Sequence, residues 1–243
     1  MIDHSLHVGL NSVDPASYNN WSGFLNACHN DAAGLAIMAS RVGSTAWGLN
    51  TSDTEKNLPT IANFKEQVAT LADITKPGEL AMLSYSGHGG SDQWGESLCL
   101  YDGLLYEHEL RSLLAKFKEG TRWIFVLDSC HSGGLDRGFM SPAHRAAPRA
   151  ALRVQDAPKA WPFSEAVIPS SGVLLCACQP AEVAYDGDQF GAWTGSLLRA
   201  WPDGTIGHTA QTWFDRAYDY CPETQHPVLR LLGQNHDWLH RAI

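Results

Sequence analysis

The chain has 243 residues, 44% of them hydrophobic and 18% charged, a composition that fits a globular protein large enough to bury a sizeable core in one α/β domain. Its formal charge of −9 excludes the basic face that nucleic-acid binding needs and suits basic substrates instead. No repeat, low-complexity tract or apolar run of membrane-spanning length interrupts it. The opening MIDHSLHVGLN has neither a basic leader nor a long apolar core, so a cytoplasmic protein without membrane contact is expected.

Leu6, Val8 and Leu10 alternate in a first strand that ends at Asn11, and Asp14, Pro15, Asn19 and Asn20 mark the loop after it. From Asp31 to about Arg41 the residues Ala32, Leu35, Ala36, Met38 and Ala39 recur at helical spacing, with Asn30 or Asp31 placed to cap. A second helix is predicted from Thr60, with Ile61, Phe64, Val68 and Leu71 on one face. Leu80 to Leu83 is a short, continuous apolar run, as in a strand covered on both sides. It leads into Ser84-Tyr85-Ser86-Gly87-His88-Gly89-Gly90. A helix from Glu107 to Phe117 precedes the strand Trp123 to Leu127, which runs into Asp128-Ser129-Cys130-His131-Ser132-Gly133-Gly134. The strand Val173 to Cys178 and helices near Trp193 to Ala200 and Thr209 to Tyr220 complete the pattern.

Strands that alternate with helices imply a mostly parallel central sheet flanked by helices on both faces, here as one domain over residues 1–243. Ligands of such sheets bind beyond the carboxyl ends of the strands. His88 and Cys130 both fall there. Read alone, His88 is a turn histidine and Cys130 a buried thiol, but two strand ends with glycines beside them place both at a functional edge. A cysteine attacks as the thiolate, with an unperturbed pKa of about 8.5, so a neighbouring imidazole is its minimum equipment. The amides of Gly89 and Cys130 are candidates for an oxyanion hole. No third catalytic side chain stands out, and an orienting backbone carbonyl would serve.

Between His131 and Ser170 the pattern changes. Five prolines break the segment, and Arg137, Arg145, Arg149, Arg153 and Lys159 outnumber its three acids. So long a non-periodic stretch is expected to be an exposed, mobile connection. The six cysteines, Cys28, Cys99, Cys130, Cys176, Cys178 and Cys221, fall largely inside apolar runs and are read as mostly reduced, small buried hydrophobes.

Strand–Ser-Gly-His-Gly followed by strand–Asp-Ser-Cys-His-Ser-Gly resembles the caspase-like cysteine peptidases, and the metacaspases of prokaryotic type more closely than the animal caspases, whose nucleophile stands in a Gln-Ala-Cys-x-Gly context. Val8-Gly9-Leu10-Asn11, Cys28-His29-Asn30-Asp31, and Cys176-Ala177-Cys178-Gln179-Pro180 with Glu182 and Ala184 extend the likeness over nearly the whole chain. The resemblance implies a caspase-like fold and a cysteine endopeptidase that works through a Cys/His dyad and an acyl-enzyme, with His88 as general acid/base and Cys130 as nucleophile. It further implies that Asp31, Ser86 and Asp128, with Cys28 beside them, line the pocket for the residue before the cut. Two carboxylates there would favour Arg or Lys, so protein or peptide substrates with basic cleavage sites are the expected partners.

Many members of that family need calcium, yet this chain offers only Asp92, Glu96, Asp102 and Asp136 nearby. Calcium takes about six to eight oxygens, so no metal and no cofactor is assigned; zinc lacks any Cys-x-x-Cys or His-Glu-x-x-His spacing. Arg137, Arg145, Arg149, Arg153 and Lys159 are candidate self-cleavage sites, because they follow the nucleophile and suit the acidic pocket. Two other readings stay open: a caspase-like peptidase of different specificity inside a partner-controlled effector system, and a catalytically silent interaction module of the same fold.

Overall fold

The computed structural model describes residues 1–51, 57–92, 94–129, 166–179, 182–201 and 209–243. In chain order these form β1 (His4–Gly9), α1 (Cys28–Arg41), β2 (Thr45–Asn50), α2 (Ile61–Ile74), β3 (Leu80–Ser86), β4 (Gly89–Asp92), β5 (Gly95–Leu100), β6 (Gly103–Tyr106), α3 (Glu107–Leu114), β7 (Arg122–Asp128), β8 (Ser171–Cys176), α4 (Ala192–Ala200), α5 (Ala210–Tyr218) and β9 (Val228–Gly233).

The apolar runs make the central sheet, in the order β2-β1-β3-β7-β8-β9. Its strands pair in parallel except β9, which runs antiparallel to β8 at the edge. Every residue of β3 is buried, and so is every residue of β7 after Arg122, because helices cover both faces. Successive side chains of a strand point to opposite faces, and the core is divided accordingly. Leu6, Val8, Leu83, Tyr85, Phe125 and Leu127 pack with α2 and α3, while Leu80, Met82, Ile124, Val126, Val173 and Leu175 pack with α1, α4 and α5.

Several elements differ from the sequence expectation for identifiable reasons. β3 runs on through Ser84 and Ser86 because their hydroxyls find partners indoors: Ser84 Oγ lies 2.9 Å from His7 Nδ1, and Ser86 Oγ donates to Asp31. The helix α1 starts at Cys28, so Asp31 sits inside its first turn instead of capping it. Ala27, the residue at the cap, offers no side-chain bond; the carboxylate of Asp186 accepts from the amides of Asn26 and Ala27 instead, at 2.7 and 3.3 Å. The strands β2, β9 and β4 carry no long apolar run, and in the small antiparallel sheet β4-β5-β6 the runs Leu98–Leu100 and Leu104–Tyr106 are only three residues each, so periodicity overlooks them.

Cys130 lies outside the described residues, as do Asp136, Arg137, Arg145, Arg149, Arg153 and Lys159. The last part of the segment expected to be exposed up to Ser170 is packed: Val167 is 76% exposed, but Ile168 is buried and Ser170 Oγ accepts from the Trp123 indole at 2.9 Å. Cys99, Cys176 and Cys178 are free and buried, Cys221 is free and half-buried, and Cys28 is buried.

Candidate active site

β3 and β7 end side by side, with Ser86 paired to Asp128 across the ladder. The first turn of α1 is drawn against them because Gly9 ends β1: a Cβ at that position would collide with the Cys28 carbonyl. This close approach brings Asp31 to Ser86, whose hydroxyl donates to Asp31 Oδ2 at 2.6 Å. The other oxygen, Oδ1, accepts the Gly191 amide at 2.8 Å, at the start of α4. Asp128 Oδ2 accepts both the amide and the hydroxyl of Thr194, at 2.9 and 2.7 Å. The two carboxylates therefore rest on the amino-terminal turn of one helix, where unsatisfied amides and the helix dipole favour negative charge. Asp31, Ser86 and Asp128 are 0, 3 and 1% exposed and Cys28 is fully buried. A basic side chain would have to enter a site where protein donors already hold these oxygens.

His88 follows the turn made by Gly87, where any Cβ would sit 2.7 Å from the Tyr85 hydroxyl oxygen. That hydroxyl lies 2.8 Å from the carbonyls of both His88 and Cys99; its one proton serves them in turn. The imidazole is 4% exposed, and its centroid lies 4.7 Å from the Trp21 ring. Its Nε2 is 3.0 Å from the Gly23 carbonyl oxygen. A carbonyl only accepts, so Nε2 carries the hydrogen and Nδ1 is the atom able to take a proton.

Gly89 opens β4. The Cys99 amide donates to the His88 carbonyl at 3.0 Å, which makes Gly89 and Leu98 a non-hydrogen-bonded pair in this antiparallel ladder and turns the Gly89 N–H away from β5. Ser129, fully buried, is the last described residue before Cys130, and its carbonyl lies 3.8 Å from Cys178 Sγ. Burial pushes the Cys99 thiol up, that of Cys176 up to about 12 and that of Cys221 up to about 11, so none of these three is a ready nucleophile.

The acids weighed for calcium have structural occupations. Asp92 accepts from the Trp94 amide at 2.7 Å and the Tyr106 hydroxyl at 2.8 Å, and Asp102 from the Ile61 amide at 2.8 Å. Burial and the neighbouring Glu107 carboxylate raise the Glu96 pKa. Among the described residues, no three His, Cys, Asp or Glu side chains come together as a metal cage.

Sequence reasoning missed Gly23, Gly191 and Thr194. Gly23 and Gly191 act through backbone atoms, which leave no chemical signature in a sequence. Thr194, three residues after a glycine at a helix start, offered a weak capping signal only.

A six-stranded α/β sheet with a histidine on one strand end and an acid-lined recess beside it defines a caspase-like domain. The caspase-domain family profile matches residues 13–225, and the chain belongs to this family of cysteine peptidases. Its relatives are of metacaspase type: it is 26% identical over 150 residues to metacaspase-4 of Arabidopsis thaliana and 27% over 155 residues to metacaspase-1 of Schizosaccharomyces pombe. Each match covers 56% of this chain and 34% or 35% of the relative, so the match spans about a third of the length of these curated relatives. The crystal structure of protein GSU0716 from Geobacter sulfurreducens superposes with a TM-score of 0.81 at 30% identity, over 97% of this chain and 95% of that one.

Proposed function

We propose that this chain is a cysteine endopeptidase that cuts protein substrates after Arg or Lys, with Cys130 as nucleophile and His88 as general acid/base. The observation that carries the reading is the imidazole fixed by the Gly23 carbonyl at a buried strand end, on the strand that pairs with the one leading to Cys130. His88 Nδ1 takes the thiol proton, and the Cys130 thiolate attacks the scissile carbonyl. The oxyanion is met by the amides of Gly89 and Cys130. Collapse of the tetrahedral adduct breaks the C–N bond, and the leaving amine takes its proton from His88. A water, deprotonated by His88, then hydrolyses the thioester and regenerates the thiol.

Asp31 and Asp128, with Ser86 and Cys28, form the receiving pocket, and two buried carboxylates favour a cation over an acid there. On this reading the enzyme also cuts its own segment after Arg137, Arg145, Arg149, Arg153 or Lys159, needs no calcium, and works in the cytoplasm. The free thiols of Cys99, Cys176, Cys178 and Cys221 support a reducing compartment, and no helix among the described residues is long and apolar enough to cross a membrane.

A peptide-library cleavage profile of wild type beside Cys130→Ala tests the proposal. Cleavage after basic residues, absent in the variant, is the expected result. Cleavage after other residues favours a peptidase of different specificity under partner control. No cleavage, together with no labelling of Cys130 by an active-site electrophile, favours a silent interaction module.

A further inference from the structure

The segment from Asp186 to Thr194 reaches the recess at three points. Asp186 accepts from the amides of Asn26 and Ala27, the residues that lead into α1, at 2.7 and 3.3 Å. Five residues later the Gly191 amide donates to Asp31 Oδ1 at 2.8 Å. In the first turn of α4 the amide and hydroxyl of Thr194 both donate to Asp128 Oδ2, at 2.9 and 2.7 Å. The Ala192 amide donates to the Tyr185 carbonyl at 3.0 Å, which closes the segment into a compact loop.

We infer that this segment is the positioning element of the acidic pocket, and that Thr194 and Asp186 are positioning residues that determine how strongly a basic residue is preferred. The inference rests on the proposed basic specificity and adds what enforces it. Two carboxylates recognise a cation strongly only if both are held in place, since a displacement of about 1 Å at a binding group can cost up to a hundredfold. Asp128 sits at the end of a strand, where the amide and the hydroxyl of Thr194, itself fully buried, both hold its Oδ2. Asp31 sits on a helix whose own cap residue makes no side-chain bond; Asp186 holds the entry to that helix from 160 positions away in sequence.

The test compares kcat/KM for a peptide with Arg before the cut against its citrulline counterpart, which keeps the shape and removes the charge. Thr194→Val should lower the Arg-to-citrulline ratio about tenfold, mainly through KM for the Arg peptide. Thr194→Ser, which restores the hydroxyl, should recover most of the ratio, and Asp186→Asn should lower it by a smaller factor. A purely structural role would depress both peptides alike and leave the ratio unmoved. An unchanged ratio in Thr194→Val or, should that variant not fold, in Asp186→Asn, measured in an enzyme whose wild type prefers Arg, overturns the inference. A wild-type ratio near one overturns the basic-specificity reading instead.

Discussion

His88 Nε2 lies 3.0 Å from the carbonyl oxygen of Gly23, a residue 65 positions earlier in the chain. Gly23 has φ of 56°, a left-handed conformation that an L side chain adopts at a cost of roughly 1 kcal/mol. A Cβ there would also come within 3.2 Å of His88 Cδ2 and 3.0 Å of the Trp21 ring. Gly23→Ala should therefore displace the carbonyl and loosen the imidazole, lowering kcat by about ten- to a hundredfold with less change in KM. His88→Ala should lower it by several orders of magnitude. Steady-state kinetics on one basic peptide check both, and full kcat in Gly23→Ala would show that the carbonyl does not orient the base.

Neutralising either acid of the recess should remove a charge partner for the bound cation. Asp31→Asn and Asp128→Asn should each cost roughly 2–5 kcal/mol of discrimination for Arg over Asp before the cut. Each also disturbs donors aimed at a carboxylate, from Ser86 and Gly191 or from Thr194, so a lower melting temperature should accompany the loss. A selectivity unaffected by both substitutions would place the specificity pocket elsewhere.

Activity should persist in excess chelator. Asp92 and Asp102 are committed to backbone and tyrosine donors, and freeing them for a cation would cost those turns. Turnover measured before and after chelation decides the point, and a strict dependence restored by calcium alone would refute it.

Incubated alone, wild type should cut itself after one or more of Arg137, Arg145, Arg149, Arg153 and Lys159, whereas Cys130→Ala should stay whole. Such a cut leaves His88 and Cys130 on the amino-terminal piece, while β8 remains paired between β7 and β9, so the two pieces should elute together. Fragment masses map the sites. An intact chain under conditions that turn over peptide would rule self-cleavage out.

Acid should destabilise the fold through His7. Its ring is fully buried, its Nδ1 meets Ser84, and its Nε2 has no hydrogen-bond partner among the described residues. Burial lowers its pKa from 6.5 to about 3. The unfolded chain therefore takes up a proton between these values while the folded chain does not. The contribution is complete above pH 6.5 and is lost as pH falls towards 3, on the order of 5 kcal/mol in all. Urea unfolding at pH 7 and pH 4.5 should show a loss in wild type that is smaller in His7→Gln; equal losses in the two would exonerate His7.

Local pattern by itself determined the parallel sheet, its two-sided burial, and the placing of His88 at a strand end, because unbroken apolar runs and the glycines that stop them are written in consecutive residues. The motifs around His88 and Cys130 likewise carry the family resemblance in consecutive residues. What the tertiary structure decided was who holds whom. The edge strands β2 and β9 and the sheet β4-β5-β6 exist through pairing with neighbours, and their apolar stretches are too short to mark them in the chain. Asp31, read as a helix cap or a pocket acid, proved to lie within the first turn, held by Ser86 and by an amide 160 positions away. The Gly23 carbonyl and the Gly191 amide are backbone groups that every non-proline residue possesses; only the fold selects which of them meets an imidazole or a carboxylate.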